Sequence, residues 1–354
     1  MSYDAVLLVS FGGPERPEDV EPFLDNVLRG KPVPPARRQE VAQHYLRFGG
    51  RSPIAPATRA LHAALRRELD AHGPNLPVYL GNRNWHPLLP DTLRAMAADG
   101  IQRALALVTS AFGSYSGCRQ YLEDIARARL QVGPSAPAVD KVRLFYNHPA
   151  FLAIWAERVR QGLAQAGPEA ALLFTAHSVP VEMAAAGPYP QQLQEAAQLV
   201  AAAARHPHFH FAYQSRSGPP HQPWLEPSLE ALLPSLKQQG APAVVLAPLG
   251  FLSDHMEVVY DLDVEAADQA RALGLRCVRV PTPGDHPGFA ALLRELILER
   301  LDPAQPRRAT GSSGAWSDVC PEGCCIVAPS HRATTAAAKQ LPNTLTAVRP
   351  MSKN

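Results

Sequence analysis

The chain has 354 residues, 46% of them hydrophobic, and 34 basic side chains stand against 32 acidic ones for a formal charge of +2. That balance excludes a disordered chain and the broad positive field of a nucleic-acid binder, and the length suits two domains or one two-lobed body. Five cysteines are too few and too unevenly spaced for a disulfide framework, which points to a reducing compartment, expected to be the cytoplasm.

In chain order, short apolar runs bounded by turn residues at 5–10, 77–80, 103–109, 171–176, 208–213, 243–249 and 276–280 predict buried strands, with helical stretches between them. This alternation is the pattern of βαβ units: an α/β protein with mostly parallel sheets covered by helices on both faces. The N-terminus has no basic region or small-residue cleavage site, and no apolar run reaches about 18 residues, so neither a signal peptide nor a membrane span is expected. Peripheral membrane contact stays open. The stretch VGPSAPAVD reads as the connection between two similar halves. A first lobe over 1–145, a second over 146–302 and a polar, Cys-containing extension over 303–354 are therefore expected.

In open α/β sheets, ligands bind beyond the carboxyl ends of the strands, so the segments after 10, 109, 176, 213 and 249 carry the candidate chemistry. After 249, Asp254, Glu257, Asp261 and Glu265 lie in a stretch free of Gly and Pro and predict a helix with four carboxylates inside an arc of roughly 80°. One reading is a capping box, Asp254 with Glu257, followed by a solvated acidic face. The other is a row of hard oxygen ligands that holds a hydrated divalent cation and passes it inward. After 176 comes His177, either a structural histidine or an imidazole that accepts a proton or binds Fe²⁺. His177 and Glu257 each follow a buried strand of the second half, so they are expected to face each other across one cleft.

In the first half, Ser52 with Arg29, Lys31, Arg47 and Arg51 offers donors and cations to ligand carboxylates, or serves only solubility. Ser114 to Tyr121 supplies hydroxyls and an aromatic ring, and Gln214 to Gly218 with Trp224 forms a similar wall in the second half. Gly12-Gly13-Pro14 lacks the G-x-G-x-x-G spacing, and its proline removes an amide donor, which disfavours a nicotinamide site.

The segments LLVSFGGPE (7–15), HYLRFGGRSPI (44–54), YLGNRNWHP (79–87), TAHSVP (175–180), YQSRSGP and PWLEP (213–227), and PLGFLSDHMEVVYDLDVE (248–265) resemble the ferrochelatases, in family order and to about residue 300. The resemblance implies two Rossmann-like lobes with parallel sheets flanked by helices, the chelatase fold, and a porphyrin cleft between them. It implies Fe²⁺ as substrate, His177 and Glu257 as the catalytic metal-site pair, and Asp261 and Glu265 on an outer path for cations or protons. Ser52, Tyr121, Phe11 and Arg29 are implied at the porphyrin; some members carry a Tyr in place of Phe11, and that phenol can ligate product iron.

The chain is most similar to actinobacterial-type enzymes acting on coproporphyrin III, whose four propionates suit the cations Arg29, Lys31, Arg47, Arg51 and Arg83. Protoporphyrin IX is the alternative porphyrin. Cobalt or nickel insertion into another tetrapyrrole, and a haem carrier or sensor without catalysis, are further alternatives. Several members hold a [2Fe–2S] centre on C-terminal cysteines plus one upstream, which makes Cys320, Cys324 and Cys325 candidate ligands beside the alternative of a plain thiol-rich tail. The fourth ligand is not evident from the sequence: Cys118 and Cys277 are the remaining cysteines, and His206 or His208 are substitutes. No nucleic-acid partner is expected, and a monomer is.

Overall fold

The structure is a computed structural model describing residues 2–30, 33–219, 221–321 and 323–325. Among them, β1 (Ala5–Ser10), β2 (Val78–Asn82), β3 (Arg103–Val108) and β4 (Ala138–Lys141) form one sheet in the order β2-β1-β3-β4. The second sheet has the same plan: β5 (Ala171–His177), β6 (His210–Gln214), β7 (Ala243–Ala247) and β8 (Arg276–Arg279), ordered β6-β5-β7-β8. Every pairing is parallel, so the two halves are α/β lobes with one topology.

The central strands are apolar because helices cover them on both sides: all six residues of β1 and all five of β7 are buried. The first lobe carries α1 (Val20–Leu28), α2 (Pro35–Arg47), α3 (Ile54–His72), α4 (Leu89–Ala98) and α5 (Gln120–Val132). The second carries α6 (Pro149–Ala166), α7 (Val181–Ala185), α8 (Tyr189–Ala203), α9 (Leu229–Gln238), α10 (Met256–Val258), α11 (Ala267–Ala272) and α12 (Pro287–Leu301).

The strand β4 corrects one expectation. It overlaps the end of VGPSAPAVD (132–140), which reads as a connection, yet Ala138 to Lys141 pair with Arg103 to Ala106. At the sheet edge its side chains stay partly exposed, so no apolar run marks it.

One apolar core runs through both sheets, from Leu8 and Leu107 through Phe145, Phe151 and Trp155 to Phe174 and Val245. Helix α12 returns to the first lobe, where Arg294 donates to the carbonyls of His72 (2.6 Å) and Gly73 (2.5 Å). Arg143 and Glu299 form an ion pair of 2.6 Å with side chains only 1% and 4% exposed. The segment after α12 is no loose appendage as far as Cys325. The Thr310 amide donates to Asn147 O (2.9 Å), Asn147 Nδ2 to Gly314 O (2.8 Å) and the Cys325 amide to Ala186 O (3.0 Å). Among the described residues no helix is long and apolar enough to cross a membrane.

Candidate active site

The end of β1 sets the first wall. A Cβ on Gly13 would stand 2.7 Å from Ser52 Cβ, so only glycine lets the loop before α3 close onto this turn, where the Ser52 amide donates to Pro14 O (2.8 Å). The Gly-Gly-Pro turn thus seats buried Ser52. Ser52 lines a cavity of about 450 Å³ together with Glu15, Arg51 and Arg59 of the first lobe and Met256 and Val259 of the second, so this space lies between the lobes.

Phe11 sits beside it, edge-on to Phe23 at 6.2 Å, in an apolar cluster with Phe48, Trp85 and Met256. Arg83 stands 5.7 Å from the Phe11 ring and 4.4 Å from the ring of buried Tyr121. Phe11, Arg83 and Tyr121 therefore form one stack. Arg83 is also paired with Asp124 at 2.5 Å and is itself buried, which removes it from the set of cations open to a propionate. Arg29 follows α1 and donates to Asn26 Oδ1; neither it nor Tyr121 borders the cavity. Lys31 lies outside the described residues.

His177 ends β5, in register with Gln214 of β6. Its Nδ1–H donates to the carbonyl of Ser178, which leaves Nε2 facing Glu257 at 3.4 Å. The pair is reached by solvent, the side chains being 31% and 53% exposed, and neither residue lines the cavity beside Ser52. The two groups are thus side by side, and not across a gap wide enough for a macrocycle. Burial lowers the affinity of His177 for a proton, but the Glu257 charge and hydrogen bond outweigh it and raise the pKa. Burial alone would raise Glu257; the charge of His177, its hydrogen bond and the charge of His255 instead hold the carboxyl well below the usual range. Burial also keeps His255, packed edge-on to Phe251, neutral to lower pH.

The turn that leads to this pair is fixed by close packing. A Cβ on Gly250 would come 2.6 Å from Ala176 Cβ, so glycine lets the loop after β7 lie directly over the residue before His177.

The acidic helix differs from expectation in two ways. Helix α10 lasts three residues and passes into a π-helix, Val259–Ala266. Each i→i+5 turn holds an extra residue, a rare geometry that the absence of Gly and Pro does not reveal. Asp254 is not part of the row. It precedes the helix and is held by Arg279 (2.9 and 3.1 Å) and Thr282 (3.1 Å), while Arg279 also grips Asp263 at 2.5 Å. There is no capping box either, since the N-cap is His255 with no side-chain bond to the helix.

Glu257, Asp261 and Glu265 remain as a file. Asp261 accepts from Ser215 Oγ and from Gln214 Nε2 (3.3 Å). Burial, aided by the charges of Glu257 and Glu265, pushes its pKa up to about 6 against the pull of Ser215. Burial likewise raises Glu265. Ser215 takes a left-handed backbone (φ 62°), which aims its hydroxyl at Asp261; nothing in the sequence distinguishes it from its neighbours.

The cysteines converge. Cys118, on a π-helical turn (Tyr115–Arg119) just before α5, lies against Cys320, and Cys324 Sγ is 3.6 Å from Cys325 Sγ. Cys325 seats on Gly187, where a Cβ would stand 2.9 Å from its sulfur. The hydrogen bond from Cys118 holds Cys320 below the usual thiol range, to about 6, with Lys141 adding positive charge. Cys118 and Cys325 are pushed up, Cys118 by that same bond and by burial, Cys325 chiefly by burial. All five cysteines are free. No group of three or more His, Cys, Asp or Glu among the described residues is arranged to hold a single ion; the four sulfurs form an open chain.

The chain is similar to known proteins along most of its length. The family model described as Ferrochelatase matches residues 3–301. The chain is 50% identical over 352 residues to the coproporphyrin III ferrochelatase of Nocardia farcinica, covering 95% of this chain and 99% of the relative. It is 50% identical over 331 residues to the ferrochelatase of Rhodopirellula baltica, covering 92% and 94%. Among solved structures, SirB from Bacillus subtilis with Fe3+ matches with a TM-score of 0.53 at 11% identity, over 88% of this chain and 100% of that one, a likeness of fold. By the family model and by the length of chain matched, this protein belongs to the ferrochelatase family, enzymes that insert ferrous iron into a porphyrin in heme biosynthesis.

Proposed function

We propose that this protein inserts Fe²⁺ into coproporphyrin III, with His177 and Glu257 at the reacting centre. The observation that carries the assignment of residues is the 3.4 Å approach of His177 Nε2 to Glu257 at the carboxyl ends of β5 and β7, continuous with Asp261 and Glu265. A free porphyrin holds two N–H protons that leave as hydrated Fe²⁺ sheds water and forms bonds to the ring nitrogens. Neutral His177 Nε2 accepts a proton from a pyrrole N–H and, once charged, pairs with Glu257, whose ionised carboxylate hands over the metal along the carboxylate file. Binding energy from the remote propionates holds the ring where its nitrogen lone pairs face the pair.

Four propionates need more cations than two. Arg51 at the cavity and Arg47 over the Tyr260 ring (6.0 Å) support the four-carboxylate substrate, with Ser52 and Phe11 as further porphyrin residues; Arg59 is already paired with Glu15 (2.7 Å), and Tyr121 and Arg29 stand back from the cavity. The five free thiols support a cytoplasmic site of action.

We propose further that Cys118, Cys320, Cys324 and Cys325 hold a [2Fe–2S] centre. Four sulfurs in an open chain, one of them favoured as thiolate, suit a two-iron group better than a single ion. Such a centre supplies one-electron chemistry and ties its ligands together; here those come from the first lobe and from the segment resting on Ala186 and Gly187 of the second.

The test is anaerobic turnover of Fe²⁺ with coproporphyrin III and with protoporphyrin IX by the wild type, His177→Ala and Glu257→Ala. The expected result is a higher kcat/KM for coproporphyrin III and near-complete loss of insertion in both variants, with porphyrin binding retained. A preference for protoporphyrin IX overturns the substrate, and full activity in either variant overturns the residue assignment.

A further inference from the structure

The π-helix that carries the carboxylate file is tied to both edge strands of the second sheet. Gln214 is the last residue of β6 and Arg279 the last of β8, and the order β6-β5-β7-β8 puts them at opposite edges. From the first edge, Gln214 and the adjoining Ser215 hold Asp261. From the other, Arg279 holds Asp263 through Nε (2.5 Å) and Nη2 (3.0 Å). Successive helical residues turn by roughly 100°, so Asp261 and Asp263 leave the helix on either side of Leu262, which is buried in the core beneath. The same guanidinium takes Asp254, just ahead of the helix, through Nη1 (3.1 Å) and Nη2 (2.9 Å). One side chain thus grips the segment bearing Glu257 and Asp261 both before and after those two residues.

We propose that Arg279 is a positioning residue for iron insertion: its grip on Asp254 and Asp263 sets the rotation of the π-helix, and through it the aim of Glu257 and Asp261. The role rests on these last two carboxylates being the metal groups of the proposed reaction. Burial of Leu262 does not set that rotation alone, because apolar burial is non-directional, whereas bidentate bonds from a planar fork fix an orientation. A π-turn holds one residue more than an α-turn, so relaxing a single turn to the commoner winding rotates everything beyond it by roughly 100°. Asp261 then leaves Ser215, and Asp263 leaves Arg279. The four bonds from Arg279 oppose that change. Lysine is no substitute, since a compact ammonium lacks the flat fork that serves two carboxylates at once.

The experiment is anaerobic steady-state insertion of Fe²⁺ into coproporphyrin III by the full-length protein. Wild type is compared with Arg279→Met, Arg279→Lys, Asp263→Asn and the double variant of the last two, and porphyrin affinity is read separately by fluorescence quenching. The kcat/KM for Fe²⁺ is expected to fall about ten- to hundredfold in Arg279→Met, the cost of a misplacement of about 1 Å. It is expected to fall about three- to tenfold in Arg279→Lys and in Asp263→Asn, with porphyrin affinity kept within about twofold throughout. The last two changes remove one shared contact, so the double variant is expected to lose less than the product of the single losses. Arg279→Lys keeps the charge at a side chain 19% exposed, and so guards against loss of fold in Arg279→Met. An unchanged kcat/KM for Fe²⁺ in Arg279→Met, or porphyrin affinity that falls in step with it in Arg279→Lys, overturns the positioning role and leaves the reaction standing. A wild type that inserts no iron overturns both.

Discussion

Gln214 and His177 are register partners on adjacent parallel strands, and Gln214 also reaches Asp261 (3.3 Å), so one strand end ties the imidazole to the second carboxylate of the file. The imidazole and the Asp261 carboxylate are thereby both tied to the end of the second sheet.

The His177–Glu257 pair predicts a shift that is visible without turnover. Burial lowers the imidazole pKa and Glu257 raises it, so Glu257→Gln leaves burial unopposed. The His177 pKa, followed by NMR of its ring protons, is expected to fall in that variant. An unchanged titration refutes the coupling.

Asp261 predicts a pH limb. With its pKa raised to about 6, the carboxylate becomes protonated as pH falls through that value, and metal delivery weakens. Insertion is expected to decline below about pH 6, and Ser215→Ala, which removes a bond favouring the charged form, is expected to move the limb upward. Stability follows the opposite sign. A carboxyl with a raised folded pKa costs nothing below its unfolded value near 3.9, and its full cost is present above about 6. Asp261→Asn is therefore expected to stabilise the fold at pH 8 by on the order of 1 kcal/mol, reduced by the wet cleft, and to have no such effect at pH 4. Thermal melts at the two values check this.

The thiol corner predicts a pattern among the cysteines. Cys118→Ser and Cys320→Ser are each expected to lose bound iron and acid-labile sulfide, whereas Cys277→Ser, on β8 and away from the others, retains both. Equal metal content in all three variants removes the four-cysteine assignment.

The Arg143–Glu299 pair predicts a stability loss far from any chemistry. Both side chains are buried, and Arg143 also donates to Arg308 O (2.8 Å). Glu299→Ala leaves a buried cation unpaired and is expected to cost about 3–5 kcal/mol in denaturant titrations. Arg143→Met combined with Glu299→Leu is expected to cost less.

The fold was largely legible because central strands of a parallel sheet are continuous apolar runs, as in AVLLVS and AVVLA. Strand β4 escaped because an edge strand needs no such run. At the site, position after a strand singled out His177 and Glu257. Helical periodicity kept Asp261 and Glu265 in line but wrongly added Asp254, whose partner Arg279 lies 25 residues away in sequence. The π-helix, the left-handed Ser215 and the meeting of Cys118 with Cys320 depend on contacts between distant segments, which local spacing does not encode. Arg83 was read as a free cation because nothing nearby in sequence reveals Asp124, 41 residues on.

Synthesis runs in one direction, and this gives the Arg143–Glu299 pair a meaning in time. Glu299 is made 156 residues after Arg143. Until it leaves the ribosome, the guanidinium has no carboxylate to meet, and helix α12 is not there to cover α3. The newborn first lobe is thus held in an unfinished state until helix α12 has been made. A polypeptide halted midway displays a cation and an apolar face that the finished protein conceals, marks by which a chaperone or protease can tell the two apart.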